Sequence, residues 1–181
     1  MYLKPSEIVL DTLYQGDVMR GVPFLIFDKI VYLKKNSESS FGIVEKNDHN
    51  CDNKGESFIA VKSRLNSVII VSQTCDIQKM ETVMVAPIYS IKSFEDNGVL
   101  KDGKSGLIKK RKTFHWFYLP EFEGLIEDSF ADFTSMHYIH KSILLERMSN
   151  KILTLSDWGR HHLDFSLGNF FGRPIEDKYS K

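Results

Sequence analysis

The sequence of 181 residues has little cysteine, no excess charge of either sign and no long hydrophobic run. Its two cysteines, Cys51 and Cys75, lie in different contexts, and residues 1–5 lack the pattern of a signal peptide, so a reducing cytoplasm without a disulfide is expected. Lysine plus arginine equals aspartate plus glutamate at 24 each, which excludes a global field that attracts nucleic acid or membrane. No run approaches the roughly 18 apolar residues of a membrane span, so no membrane partner is expected.

The composition is that of one globular domain spanning residues 1–181. Hydrophobic residues make up 42% and charged residues 27% of the chain, values that allow a buried core at this length. His137 and His140 could share a helix face, but no cysteine or carboxylate stands at the spacing of a metal site. The sequence therefore predicts neither a metal nor a cofactor, and any site for a polyanion has to be a local patch.

Residues 68–90 hold the strongest pattern in the chain. Two apolar runs, VIIV at 68–71 and VMVA at 83–86, are typical of strands that are buried on both faces. Between them stand five consecutive polar residues, which are Ser72, Gln73, Thr74, Cys75 and Asp76. They form either a turn whose side chains bond the nearby backbone or a functional site at the end of a rigid strand. Because a turn needs only one or two such residues, both interpretations stay open.

The remaining segments predict a mainly β fold with a C-terminal helix. Before residue 68 they are, in chain order, a short helix or lead-in at 6–13, a turn into a strand at 14–18, strands at 23–27 and 30–33, a polar surface excursion at 34–56, a strand at 58–61 and a polar turn at 62–67. After Ser90 they are a short helix broken at Gly98, Gly103 and Gly106, an aromatic strand at 113–120, a strand at 125–133, and a helix or helix–strand mixture at 136–145. Ser156 is the expected N-cap of the last helix, whose apolar side would carry Trp158, Leu163, Leu167 and Phe170 or Phe171.

Four short motifs, in this order, resemble the PemK/MazF-like toxins, small proteins with an SH3-like β-barrel finished by a C-terminal helix. GDV at 16–18 is similar to the start of that barrel, VMVAPIYS at 83–90 to a strand ending in APITS, residues 125–143 to a later strand, and LS at 155–156 to the entry of the last helix. The resemblance implies an SH3-like barrel over 14–145 with inserted loops at 34–56 and 90–112, a helix at 156–171 and a tail at 172–181.

The motifs of that family also suggest where an active site would lie. Members that cut RNA carry an arginine just before the central strand and a threonine or serine at the end of the APITS-like motif. Here the first position holds Asn66 and Ser67, with Arg64 further back, and the second holds Tyr89 followed by Ser90. The resemblance therefore implies the barrel more directly than the ribonuclease activity. Because family toxins are usually dimers neutralised by an antitoxin, it also implies a homodimer and an antitoxin-like partner.

Metal-independent RNA cleavage, in which the 2′-hydroxyl attacks the adjacent phosphate, requires a general base, a general acid and a cation beside the phosphorane. The candidate catalytic residues for these roles are Arg64, Asp76, Ser90 and His115. Plainer interpretations exist, with Arg64 as a solvated turn residue and Asp76 as a turn cap. A cysteine hydrolase, with His115 activating the thiol of Cys75, is a further alternative.

The segment KKRKTFHWFY at 109–118 interleaves cations with aromatic rings, a mixture typical of proteins that bind single-stranded nucleic acid. We expect Lys110, Arg111 and Trp116 to contact such a ligand, together with residues 72–75. The alternative is a solvated basic loop that leads into a core strand, with Trp116 and Tyr118 on one face and Phe117 on the other.

Two functional hypotheses follow from the sequence. The first is a toxin-like RNA-binding protein or metal-independent endoribonuclease of a toxin–antitoxin, mobile-element or phage-defence system. The second is a non-catalytic barrel that binds a protein or a small ligand through residues 72–76 and the aromatic strand.

Overall fold

The structure, a computed structural model, describes residues 1–37, 40–44, 57–100 and 103–172, and within 25–62 it describes the backbone alone. Contacts divide the chain into two compact units: one comprises Met1–Val22 and the described part of Asn66–Lys181, and the other comprises Pro23–Leu65. Cys51, residues 45–56 of the predicted excursion and residues 173–181 of the predicted tail lie outside the described residues.

The described residues contain eight strands and five α-helices. The strands are β1 (Asp17–Ser37), β2 (Ser40–Val44), β3 (Ser57–Ile70), β4 (Thr82–Ser90), β5 (Trp116–Leu119), β6 (Ser129–Asp132), β7 (His137–His140) and β8 (Lys151–Thr154). The helices are α1 (Thr74–Lys79), α2 (Ile91–Asp96), α3 (Lys104–Lys109), α4 (Lys141–Leu145) and α5 (Asp157–Phe171). Short 3₁₀ turns lie at Pro5–Glu7, Phe133–Ser135 and Met148–Asn150.

All eight strands belong to one sheet, in the order β2-β1-β3-β4-β6-β5, with β7 beside β4 and β8 beside β1. Every pair with a described register is antiparallel. The path has ends at β2 and β5, so the described pairings form an open sheet. The prediction of a mainly β protein with a C-terminal helix is thereby confirmed at that level.

The central strands and the last helix follow their sequence patterns. Residues 68–71 are buried and β3 pairs antiparallel with β4, as the two apolar runs predict. Ser156 caps α5, because its Oγ accepts a hydrogen bond from Gly159 N–H at 3.3 Å. Leu163 is fully buried, and Leu167 and Phe170 pack on the same core. Trp158 and Phe171, in contrast, are mostly exposed.

Several polar segments adopt structure that their sequences do not indicate. Residues 34–37 and 40–44 pair as strands of β1 and β2, and residues 62–67 continue β3 where a turn was predicted. At 6–13, predicted as a short helix or a lead-in, the lead-in is the observed alternative, with a 3₁₀ turn at Pro5–Glu7. The aromatic strand, in contrast, begins at Trp116 and not at Thr113, and Gly106 lies within α3. These predictions were wrong because a hydrophobic period detects buried faces, whereas backbone hydrogen bonds also form in segments with few apolar side chains. At 136–145 the mixture of strand and helix is the observed alternative.

A buried ion pair joins the first strand to the last. Lys151 Nζ lies 2.7 Å from Asp17 Oδ2, and neither side chain has any exposed surface. The ammonium also donates to Val9 O at 2.6 Å and Thr12 O at 2.9 Å, so its three hydrogens all have acceptors. Thr154 donates to Asp17 Oδ1 at 2.7 Å. Burial raises the pKa of the Asp17 carboxyl above its usual value, and the bonds from Lys151 and Thr154 oppose that rise.

We expect Lys151→Met to lower the free energy of unfolding by about 3–5 kcal/mol, because it leaves the Asp17 carboxylate buried without its cation. Urea denaturation followed by circular dichroism measures this loss. Arg160→Met is the matched control: Arg160 pairs with Asp157, whose side chain is 95% exposed, and loss of an exposed pair costs about 0–1 kcal/mol. Equal stabilities of the two variants would contradict the prediction.

Candidate functional site

The structure places neither Asp76 nor His115, two of the four predicted catalytic residues, beside Ser90. Ser72 Oγ accepts from Met84 N–H at 2.8 Å, which places the segment that contains Asp76 beside the first half of β4. Ser90 is the last residue of β4, six residues beyond Met84, a separation of about 20 Å along a strand. Arg64 is exposed on β3 and belongs to the other compact unit. Asp76 and Ser90 therefore cannot act on one phosphate.

His115 is also remote from Ser90 along the sheet. Leu119 of β5 pairs with Ser129, and Ser129 pairs with Ser90, so these three residues lie side by side. His115 precedes Leu119 by four residues, about 13 Å at the rise of a strand. Its ring packs edge-on against Trp116, with centroids 4.4 Å apart.

Two of the five polar residues at 72–76 connect distant segments. Besides the bond from Met84 to Ser72, Thr74 Oγ1 accepts from Gln15 N–H at 3.2 Å. The side-chain amide of Gln15 in turn donates, through Nε2, to Val71 O at 3.1 Å and to Asp164 Oδ1 of α5 at 2.8 Å. Ser72 thus holds this segment to β4 and Thr74 holds it to the turn before β1, whose Gln15 side chain bonds α5, so both residues have a structural role.

The other three residues of that segment are exposed. Gln73 is the N-cap residue of α1, and Cys75 and Asp76 lie in its first turn. Cys75 Sγ lies 3.8 Å from Gln73 Oε1 and 3.7 Å from Asp76 Oδ1. The described contacts of the thiol are therefore with its chain neighbours, and no described contact joins it to His115.

Ser90 lines a small pocket on the sheet, which we call the Ser90 pocket. Its volume is about 200 Å³, and its lining residues are Arg20, Ser67, Ile88, Ser90, Leu125, Ile126, Glu127, Ser129 and Ile152. Five strands of the sheet contribute to it, since Arg20 is on β1, Ser67 on β3, Ser90 on β4, Ser129 on β6 and Ile152 on β8. A cation, hydroxyls and a carboxylate therefore meet at one place.

The hydrogen bonds of the Ser90 pocket leave several donors available. Ser90 Oγ accepts from Ser93 N–H at 3.1 Å as the cap of α2, so its own hydrogen can bond elsewhere. Arg20 Nη2 donates to Leu125 O at 2.5 Å, which uses one of the five guanidinium hydrogens. Ser129 Oγ donates to Glu127 O at 2.7 Å. The Glu127 side chain itself is exposed.

A larger cavity, of about 660 Å³, lies between the segment before β5 and one flank of α5. We call it the basic aromatic groove, and its lining residues are Arg111, Lys112, Thr113, Phe114, His161, His162, Phe165, Ser166 and Asn169. The Arg111 guanidinium lies over the ring of Trp158, 5.3 Å from its centroid. Burial, and then the nearby charges of Arg111 and His161, lower the pKa of His162, which is therefore neutral at pH 7.

The predicted ligand-binding residues divide between positions inside and outside this groove. Arg111 lines it, whereas Lys110 ends α3 at an exposed position. Trp116 packs against Phe130 with centroids 4.9 Å apart and belongs to a hydrophobic cluster. The predicted alternation holds, since Phe117 is buried while Trp116 and Tyr118 are half-buried on the other face. Lys109 pairs with Asp128 at 2.5 Å and lowers the pKa of that carboxyl.

No pattern in the sequence singles out Arg20, Glu127 or Phe165. Arg20 and Glu127 are 107 positions apart in the printed sequence, and each looks like an ordinary charged surface residue. His161 and His162 are adjacent residues of α5, and Phe165 is an apolar residue on the exposed side of the same helix. One signal was present: the segment at 109–118 interleaves cations with aromatic rings.

We expect Cys75→Ala to change the free energy of unfolding by no more than about 0.5 kcal/mol, because Cys75 is exposed. Ser72→Ala, three residues earlier, should cost about 1–3 kcal/mol because it leaves Met84 N–H without its acceptor. Urea denaturation of both variants measures the difference. A larger loss for Cys75→Ala than for Ser72→Ala would show that the thiol, and not the hydroxyl, supports this segment.

Comparison of the chain with known proteins adds no assignment. No family model matches it, and no curated protein matches it. Among the described residues, no group of three or more His, Cys, Asp or Glu side chains is placed to hold a metal ion. In the same part of the chain, every helix is too short or too polar to cross a membrane.

Proposed function

We propose that the protein is a metal-independent endoribonuclease that cuts single-stranded RNA at the Ser90 pocket. The observation that carries this proposal is that Arg20, Ser90 and Glu127 line one pocket. Its volume, about 200 Å³, is below the roughly 300–1,000 Å³ of enclosed small-molecule sites. A shallow site of this size suits one phosphodiester of a longer chain better than a whole small ligand.

Arg20 supports the resemblance to the PemK/MazF-like toxins. Where that family has an arginine before its central strand, this chain has Asn66 and Ser67. Arg20 comes from β1 and nevertheless lines the same pocket as Ser90, the last residue of the motif VMVAPIYS. The chain thus retains a cation and a hydroxyl beside each other, with the cation supplied from a different strand. On this basis we also propose that the sheet is an SH3-like barrel. We propose further that two copies of the protein form a homodimer, and that a separate antitoxin-like protein binds this dimer.

The chemistry of these residues accounts for cleavage without a metal. Glu127 takes the proton of a ribose 2′-hydroxyl, whose oxygen attacks the adjacent phosphorus. Arg20 and the Ser90 hydroxyl donate to the phosphate oxygens, where negative charge increases in the transition state. The bond between phosphorus and the 5′-oxygen then breaks, and the departing oxygen takes a proton from water in the open pocket. The products are a 2′,3′-cyclic phosphate and a 5′-hydroxyl.

A second candidate function is the non-catalytic binding module. The observation that favours it is that polar groups of the Ser90 pocket already have protein partners, since Arg20 bonds Leu125 O and Ser129 bonds Glu127 O. In that case the same surface would bind a ligand without breaking a bond.

We expect the purified protein to cut a long single-stranded RNA at discrete sites in the presence of EDTA. Arg20→Gln and Glu127→Gln should each lower the cleavage rate by about 10²–10³-fold, because one removes the cation and the other the base. Gel electrophoresis of end-labelled RNA measures the rate, and analysis of the new ends identifies the cyclic phosphate.

Arg64→Ala and Asp76→Ala are the matched controls, since they change an arginine and a carboxylate that lie outside the Ser90 pocket. They should cut at the parental rate when purified in the same way. Intact RNA with the parental protein would contradict the proposal, and so would a loss of activity in the controls equal to that in the pocket variants. Binding of RNA without cleavage would favour the second candidate.

A further inference from the structure

We infer that the basic aromatic groove is a separate binding site for unpaired nucleotides, which stack on Phe114 and Phe165 while Arg111 and Lys112 contact their phosphates. The inference rests on the proposed function in taking the ligand to be the RNA that the protein cuts. It adds a second site, because the groove and the Ser90 pocket have no lining residue in common.

The first observation is the backbone of Arg111. Its φ is 54°, in the left-handed region that non-glycine residues rarely adopt. Its N–H donates to Ile108 O at 2.8 Å, and Lys112 N–H donates to Leu107 O at 2.9 Å, the pattern of a helix end at which glycine usually stands. An arginine at this position is strained, and a glycine would relieve that strain.

The second observation is the exposure of the rings. Phe114 is 61% exposed and Phe165 is 65% exposed, although large apolar side chains are normally buried. Both line the same groove, one from the segment before β5 and one from α5. Base stacking on aromatic rings occurs wherever an unpaired base has a free face, so these rings suit a single strand and not a duplex.

The third observation is the local charge. The protein has no net charge, yet Arg111 and Lys112 line the groove together with His161. In the same basic run, Lys109 pairs with the Asp128 carboxylate, and Lys109 does not line the groove. Cations next to exposed rings provide both parts of a nucleic-acid site, one for the phosphates and one for the bases.

The probe for this site is a fluorescent 2′-O-methyl oligoribonucleotide of about ten nucleotides, within the range that such sites cover. It has no 2′-hydroxyl and cannot be cut by the proposed reaction, so fluorescence anisotropy reports binding alone. Phe165→Leu should weaken binding by about tenfold to a hundredfold. Phe171→Leu is the matched control: Phe171 has the same 65% exposure on the same helix but does not line the groove.

Arg111→Gly separates binding from folding. Glycine relieves the strained backbone, so the midpoint of thermal unfolding should not fall, while binding weakens and its dependence on salt becomes less steep by about 0.7 in the logarithmic slope. A purely structural role for Arg111 would give a lower midpoint with unchanged affinity.

The outcomes distinguish this inference from the proposed function. Binding that depends on Phe165 and Arg111, without cleavage of natural RNA, supports the groove and removes the endoribonuclease. Cleavage combined with equal affinities of the Phe165 and Phe171 variants overturns the groove and leaves the endoribonuclease. Failure of the parental protein to bind the probe, or equally tight binding of a duplex of the same sequence, also overturns the groove.

Discussion

The buried pair of Asp17 and Lys151 is the constraint on which the rest of the structure depends. Two charges withdrawn from water are tolerated only when every donor and acceptor finds a partner, and here the partners come from the N-terminal segment, β1 and β8. This requirement leaves one register for the start of β1. Gly16 reinforces it, because a Cβ there would lie 2.9 Å from Leu155 Cβ and its φ is +83°. Arg20, three residues beyond Asp17 on the same strand, lines the Ser90 pocket.

The last helix is held by close contacts of a similar kind. Gln15 bonds Asp164, and Gly159 approaches Met1 so closely that a Cβ would meet Met1 O at 2.4 Å. Leu163 buries the core face between these contacts. One flank of α5 is bonded to the turn before β1, and one face lies in the core. The remaining flank, which carries Phe165, lines the basic aromatic groove. The segment 72–76, which looked like a site in the sequence, serves mainly to support this arrangement through Ser72 and Thr74.

The sequence predicted what depends on neighbouring residues and missed what depends on distant ones. The runs at 68–71 and 83–86 predicted buried strands because continuous apolar residues have few alternatives, and Ser156 predicted a helix start because capping is local. The partnership of Asp17 with Lys151 joins residues at opposite ends of the chain, and no local pattern encodes it. The same holds for Arg20, Ser90 and Glu127, which meet only because β1, β3, β4 and β6 are neighbours. Strand pairing at 34–37 and 40–44 escaped prediction because it involves backbone groups and few apolar side chains.

A protein without net charge cannot attract RNA from a distance, since fields from isolated cations are screened within about 8 Å at physiological ionic strength. One arginine in a shallow pocket adds little affinity, because an exposed ionic contact contributes at most about 1 kcal/mol. A cleavage site of this kind therefore needs a second source of binding energy that salt does not screen. Stacking on exposed rings provides it at about 1–3 kcal/mol per base, and only unpaired bases can use it. Phe114 lies two residues before β5, whose four residues span about 10 Å, and Leu119 at the far end of β5 is in register with Ser129 and, through it, with Ser90. One single strand that spans β5 would contact both sites, so that the groove would select unpaired RNA and the Ser90 pocket would cut it.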